Sequence, residues 1–424
     1  MKAISPCSVE AVPRPVEPQA QRYTVLAVMG FQAIMPFGCR GKPATNKHRM
    51  NPELSSFAAR LRGIITSEGP DLQNQVGDSC NSPLRDFDSL ALELFALQFQ
   101  HNPAYRRICE ARRSGPEFVG RWTQIPSVPT SVFKELELTS IPSAERTAVF
   151  HSSGTTEQKP SRHFHCAKSL AVYEESLWKA FELRFGDTGD LVFLTPAREL
   201  APNSSLIHMF ETVRQKFRLS QSAFTGSIAV DGVWAVDFNA TIQKLNSSVE
   251  TGVPLTLLGT AFSFVHLLDH LAENRLAFCL SPGSRVMETG GYKNRSRSMP
   301  KTELHALITE RLGVPRERIV CEYGMSELSS QAYDSEIETS KLKIQNPERQ
   351  FHFPPWARVQ IISPETGQEA ADGEIGLVRV FDLANVFSVM AIQTEDLGVR
   401  RGDGFELIGR AQLAEPRGCS LMTA

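Results

Sequence analysis

Thr147-Ala148-Val149-Phe150 runs directly into His151-Ser152-Ser153-Gly154-Thr155-Thr156, and the reading of the whole chain turns on that junction. A short apolar strand delivers a loop of hydroxyls and unhindered backbone N–H groups. Lys159 follows close behind. Such a loop is suited to phosphate oxygens, with the lysine to neutralise their charge. The Walker spacing, Gly-x-x-x-x-Gly-Lys-Ser/Thr, is absent. Ser, Gly and Thr also build ordinary polar turns, so the loop needs support from the sequence around it.

Working outward, Phe87, Leu90, Leu94 and Leu97 recur at three- and four-residue steps, which predicts an amphipathic helix over 87–100 that Asn102-Pro103 ends. A Pro-punctuated loop then leads into Val132-Phe133-Lys134. Beyond the Ser/Thr/Gly run, helices are expected over 168–185, 206–217, 262–274 and 301–312. They alternate with strands at 190–195, 254–258, 285–288 and 318–322. That alternation predicts an α/β fold with a mostly parallel, doubly covered sheet. After it, 358–362, 376–381, 388–394 and 405–408 read as strands without intervening helices. They predict a small antiparallel or barrel-like β unit over about 356–424.

The chain has 424 residues, a formal charge of -2 and 41% hydrophobic residues. This is ordinary globular composition, and the balanced charge argues against a nucleic-acid binder. The eight cysteines lie too far apart for any Cys-x-x-Cys spacing, so reduced cytoplasmic thiols are expected. No segment reads as a membrane span: the apolar stretch 23–37 is short and broken by Gly30 and Pro36. Residues 1–49 hold six prolines and carry +5. They are expected to form a disordered extension ahead of one domain over 50–424, with translation starting at Met50 as the alternative.

Three further pieces stand in order along the chain. Gly290-Gly291 follows a strand and leaves room for a planar ring against the backbone. Tyr323-Gly324-Met325-Ser326-Glu327 follows another, offering an aromatic face, a bare backbone and a carboxylate for Mg²⁺. Asp396 and Arg410 supply an acceptor and a donor for ribose hydroxyls.

In that order the pieces resemble the adenylate-forming enzymes, which include acyl-CoA synthetases, peptide-synthetase adenylation domains and luciferases. The resemblance spans roughly 133 to the C-terminus and is most specific to the LuxE-type acyl-protein synthetases. The shared features are Pro129 to Phe133-Lys134, Ser153-Gly154-Thr155-Thr156 with Ser161-Arg162-His163, and Pro202-Asn203-Ser204-Ser205-Leu206. Gly290-Gly291-Tyr292-Lys293 and Arg417-Gly418-Cys419-Ser420-Leu421 complete the set. The resemblance implies a body of two packed sheet-helix subdomains plus the small β unit. It implies ATP-dependent activation of a fatty acid as acyl-AMP, with Mg²⁺ on Glu327. Acyl transfer to a protein thiol would follow, Cys419 being the matching cysteine, with a fatty-acid reductase as the partner in luminescence systems.

Two departures qualify the resemblance. Glu157 stands where the phosphate loop usually ends in Gly, and 14 residues follow Arg410, where acyl-CoA synthetases carry a lid domain with a catalytic lysine. Lys293 is the candidate cation in its place. The alternatives are a ligase that loads CoA or a carrier protein, similar to phenylacetate–CoA ligases, and a degenerate adenylate-binding protein without activity. His163 and His165 share one face of an extended stretch while Cys166 points away, which disfavours zinc. Phe262, Phe264, Val265, Leu267 and Leu268 are read either as an acyl tunnel or as core.

Overall fold

The computed structural model describes residues 51–67, 86–152, 159–186, 188–217, 222–230, 232–290, 299–336 and 349–411. The expected N-terminal extension therefore lies outside the described residues, as do Ser153 to Thr156, Glu157, Gly291, Lys293 and Cys419.

Three helices lead: α1 (Pro52–Ser67), α2 (Phe87–His101) and α3 (Pro103–Ala111). The predicted end of α2 at Asn102-Pro103 holds, but a helix follows where a loop was expected. Asn102 takes extended backbone angles and its side chain accepts from Tyr105 N, so it caps the next helix while Pro103 fills the first turn. The short β1 (Val128–Pro129) and one-turn α4 (Val132–Glu135) come next. β2 (Ala148–His151) and β3 (Arg162–His165) then pair antiparallel, with the Ser/Thr/Gly loop between them.

The predicted α/β alternation follows, with three short strands and a helix over 223–251 that were not expected. It runs α5 (Ala167–Phe185), β4 (Asp190–Phe193), α6 (Ser205–Phe217), β5 (Ala223–Phe224), the hairpin β6 (Gly226–Ile228) and β7 (Trp234–Val236), and α7 (Phe238–Thr251). Then come β8 (Leu255–Thr260), α8 (Ala261–Glu273), β9 (Arg285–Thr289), α9 (Lys301–Leu312) and β10 (Ile319–Tyr323). β5, β4, β8, β9 and β10 are parallel neighbours in that order. Successive residues of β4 enter different cores: Leu191 and Phe193 join the larger one with α1, α5 and α6, while Val192, and Leu194 just after the strand, join the smaller one with α7, α8 and α9. A strand with both faces covered reads as a continuous apolar run, which is why β4 and β8 were legible.

The last strands are β11 (Ala332–Glu336), β12 (Arg349–His352), β13 (Ala357–Ile362), β14 (Ile375–Asp382), β15 (Ala391–Arg401) and β16 (Gly404–Arg410). They are antiparallel, as expected of the C-terminal region. Among the described residues they are also continuous with the parallel strands, giving one sheet of twelve in the order β13-β14-β15-β16-β12-β11-β10-β9-β8-β4-β5, with β1 beside β15. The junction is narrow: β12 meets β16 at the single register position Phe351↔Phe405. No described helix is long and apolar enough to cross a membrane.

Asn102 ties α2 and α3 to the sheet as well, because its amide donates to Ser388 O at 3.2 Å and the residue is fully buried. Asn102→Ala removes a helix cap and leaves a buried carbonyl unpaired. It should cost about 1–3 kcal/mol, read from the urea midpoint at unchanged slope.

Candidate active site

β8, β9 and β10 end together. Thr260, Thr289 and Glu322 are register neighbours across the three strands. In open α/β sheets, ligands bind in the crevice beyond such carboxyl ends. Gly290, immediately after β9, has φ +71°, a left-handed conformation that favours glycine. Gly324, immediately after β10, has a different requirement: a Cβ there would stand 2.3 Å from the Glu322 carboxyl. Met325 packs against the larger core.

Two polar groupings form beside this edge. In the first, Ser326 Oγ donates to Glu327 Oε2 at 3.0 Å, and Ser161 Oγ lies 3.4 Å from Ser326 Oγ. Ser161 also donates its N–H to Ser152 Oγ at 3.0 Å. That bond links Ser152, just after β2, to Ser161, just before β3, and Ser161 in turn reaches Ser326 and Glu327. His163 Nδ1 lies 2.9 Å from Ser326 O, and burial lowers the His163 pKa to about 4. The ring is neutral at pH 7, and an Nδ1–H tautomer donates to that carbonyl. Glu327 is buried, and desolvation raises its pKa against the lowering effect of the Ser161 and Ser326 hydroxyls.

In the second grouping, Tyr323 Oη donates to Asp396 Oδ2 at 2.9 Å, joining β10 to β15. Asp396 is the register partner of Arg410, whose Nε lies 3.7 Å from Asp396 Oδ1. Burial raises the Asp396 carboxyl, while the Tyr323 hydrogen bond and the Arg410 charge oppose it. The Arg410 charge acts on Glu327 in the same direction, so both groupings lie within reach of one cation. Arg410 itself is largely exposed.

The structure thus gathers Ser152, Tyr323, Ser326, Glu327, Asp396 and Arg410. Lys159 sits apart from these contacts: its Nζ is 3.4 Å from Glu135 Oε2 on the surface. His163 and His165 do share a face, with ring centroids 4.3 Å apart, and Cys166 instead caps α5. Phe264, Val265, Leu267 and Leu268 are members of the smaller core, whereas Phe262 is half-buried against His266.

The sequence reading missed a second ionisable cluster just below the edge. Lys301 Nζ lies 2.8 Å from Cys321 Sγ and 4.0 Å from Glu288, and His305 Nε2 is 3.4 Å from Glu288. Thr289 donates its hydroxyl to Glu322. Burial is the main reason the Glu322 pKa rises to about 7, with the Glu288 charge adding to it. An acid inside each of two buried strands was the signal that could have flagged this cluster.

The donor set about Glu327 tests the expected magnesium. A buried carboxylate with neighbouring hydroxyls is an all-oxygen environment suited to a hard cation, and Mg²⁺ is commonly held by one or two carboxylates plus substrate phosphates. The residues fit.

Comparison with known proteins gives the family. Residues 77–424 match the family described as acyl-protein synthetase, LuxE. A long-chain-fatty-acid–luciferin-component ligase of Aliivibrio fischeri is 26% identical over 80% of this chain and 87% of its own length. Its counterpart from Vibrio harveyi is 25% identical over 77% and 84%. Among solved structures, a 2-hydroxyisobutyryl-CoA ligase in complex with 2-HIB-AMP and CoA superposes with a TM-score of 0.57. It shares 15% identity and covers 80% of this chain and 73% of that one. At that identity it speaks for the fold alone, which is that of an adenylate-forming ligase.

The raised Glu322 pKa fixes the sign of a stability effect. The folded state holds this proton up to about pH 7, whereas an unfolded glutamate loses it near its ordinary value of 4.5. Its contribution is therefore fully present below the unfolded pKa and lost as pH rises through the folded one. Glu322→Gln should flatten the decline in urea midpoint between pH 5 and pH 8. A decline as steep as in the parent chain would remove Glu322 as its source.

Proposed function

Because the chain belongs to the LuxE acyl-protein synthetase family, we propose that it activates a long-chain fatty acid with ATP and transfers the acyl group to a protein thiol. One observation carries the reading. Ser161, which donates to Ser152 at the head of the hydroxyl-rich loop, also meets Ser326 beside the Glu327 carboxyl, and this supports reading the loop as a phosphate holder next to a metal-holding acid. The names of the two curated relatives support the fatty acid as substrate.

In this reading a carboxylate oxygen of the fatty acid attacks the α-phosphorus. The bond to the bridging oxygen breaks, pyrophosphate leaves and acyl-AMP remains. The loop Ser152-Ser153-Gly154-Thr155-Thr156 and Lys159 hold phosphate oxygens, and Gly290-Gly291 with Tyr323-Gly324-Met325 accommodate the base. Asp396 and Arg410 hold the ribose, with Tyr323 fixing the Asp396 carboxyl. Glu327 would hold Mg²⁺, which when bound neutralises charge on the phosphates, and Ser326 donates its hydroxyl to the Glu327 carboxyl. Positioning and preorganised charge supply the acceleration. Lys293 serves as the additional cation. The Cys419 thiolate then attacks the acyl carbonyl, forming a thioester and releasing AMP. The acyl group passes on to a partner protein, for which an acyl reductase of a luminescence system in the cytoplasm is the proposed case.

ATP–pyrophosphate exchange across a panel of acids tests the first half-reaction. Exchange that depends on a long-chain fatty acid is expected, and none with any acid would reject the proposal. Glu327→Gln should lower that exchange by about 10²-fold or more, as for loss of a charge-stabilising group, with the fold retained on circular dichroism. Cys419→Ser should still form acyl-AMP from labelled fatty acid and ATP but show no hydroxylamine-sensitive label on the protein. An undiminished label would move the acceptor elsewhere.

A further inference from the structure

Between β14 and β15 the chain runs through the interior: every residue from Leu383 to Met390 is buried. Connecting segments normally stay at the surface because buried backbone groups need partners. Here the partners are provided from two sides. On one side Gln98 of α2 donates to Asn385 O at 2.8 Å and Val386 O at 3.2 Å, and accepts from Met390 N at 3.0 Å. Ser140 N donates to Phe387 O at 2.9 Å, and Ser388 Oγ to Leu138 O at 2.8 Å.

On the other side lies the turn that carries Glu327. The Asp382 carboxyl accepts from Ser329 N at 2.8 Å, Ser330 N at 2.9 Å and Ser330 Oγ at 2.7 Å, as well as from Ala384 N at 3.0 Å. Asn385 Nδ2 donates to Glu327 O at 2.9 Å and to Val389 O at 3.1 Å, and its Oδ1 accepts from Ser329 Oγ at 2.6 Å. Both residues are fully buried. Two side chains thus account for backbone or hydroxyl groups of residues 327, 329 and 330. Apolar side chains would fill the same volume, but only polar ones specify where that backbone stands.

We propose that Asp382 and Asn385 are positioning residues for Glu327: they lock the turn 327–330 to the β14–β15 segment and thereby set where the Glu327 carboxyl is presented. This rests on the reading of Glu327 as the magnesium carboxylate. Gln98 is the internal comparison, since it anchors the same buried segment from the far side and its bonds go to 385, 386 and 390 rather than to the turn.

The test compares Asn385→Ala with Gln98→Leu in the full chain. It reads urea stability, amide hydrogen exchange of peptides covering 324–331, and the Mg²⁺ concentration that half-saturates pyrophosphate exchange. Both variants should lose stability. Asn385→Ala alone should speed exchange in 324–331 and raise the half-saturating Mg²⁺ about tenfold, the size expected for an outer-shell partner of a metal site, with the fatty-acid KM unchanged. Equal effects of the two variants on exchange and on Mg²⁺, or loss of stability alone in Asn385→Ala, would overturn the proposal. Should Asn385→Ala not fold, Ser329→Ala removes only the hydroxyl donated to Asn385, and the absence of faster exchange there would equally overturn it. Glu327→Gln separates the two readings. If it leaves the Mg²⁺ dependence intact, the metal assignment fails while the exchange comparison still judges the positioning. If the assignment holds, adding Asn385→Ala to Glu327→Gln should shift Mg²⁺ no further.

Discussion

The parallel register of β8, β9 and β10 is the constraint on which the rest depends. Hydrogen bonding sets Thr260, Thr289 and Glu322 side by side, so three strands end along a single line, β8 passing straight into α8 and β9 and β10 into turns. The Gly290 turn and the Tyr323 to Glu327 segment start from that line. So does the row of side chains that pairs Thr289 with Glu322. Slipping one strand by a residue would turn its side chains to the other face of the sheet, separating Glu322 from Thr289. Both faces of these strands are packed, against α5 and α6 on one side and α8 and α9 on the other. The register is therefore enforced by two cores at once.

Burial of acids is the second theme. Glu322, Glu327, Asp382 and Asp396 are all buried or nearly so, and desolvation is the largest influence on each, pushing its pKa upward. What differs is how each is compensated. Asp382 is solvated by backbone N–H groups and a hydroxyl, which makes it a structural acid. Glu322 has one hydroxyl and the charge of Glu288 against it. Glu327 and Asp396 have hydroxyl donors and a single exposed arginine at a distance. These two are therefore less fully compensated than Asp382.

Much of this was legible in the sequence where local signals and tertiary demand agree. β4 and β8 are largely apolar runs, and α9 was expected over 301–312, the residues it spans. The Tyr323 to Glu327 segment and the Asp396–Arg410 pair were found through motif order, and the fold does unite them. The helix α3 was misread because Asn102-Pro103 is both a stop for one helix and a start for the next, and only the Tyr105 N contact distinguishes the roles. Asp382, Asn385 and Gln98 were invisible for a different reason. The partners that tie them to other elements lie 52 to 292 positions away along the chain, and no local pattern encodes a bond of that span. The acids of β9 and β10 were in plain view, but an alternation rule read for apolar residues passes over the polar one that matters.

The narrow junction of the sheet has a thermodynamic meaning. β12 and β16 share one register position, reinforced by the stacked rings of Phe351 and Phe405 with Tyr323 edge-on to both. The Tyr323–Asp396 hydrogen bond crosses from the parallel strands to the antiparallel ones at the same place. A molecule that touches both side chains therefore contributes its binding free energy to the cohesion between two halves of the sheet. Occupancy and cooperativity become one quantity, since the melting of the chain as a single unit is strongest when that molecule is present and mass action favours it.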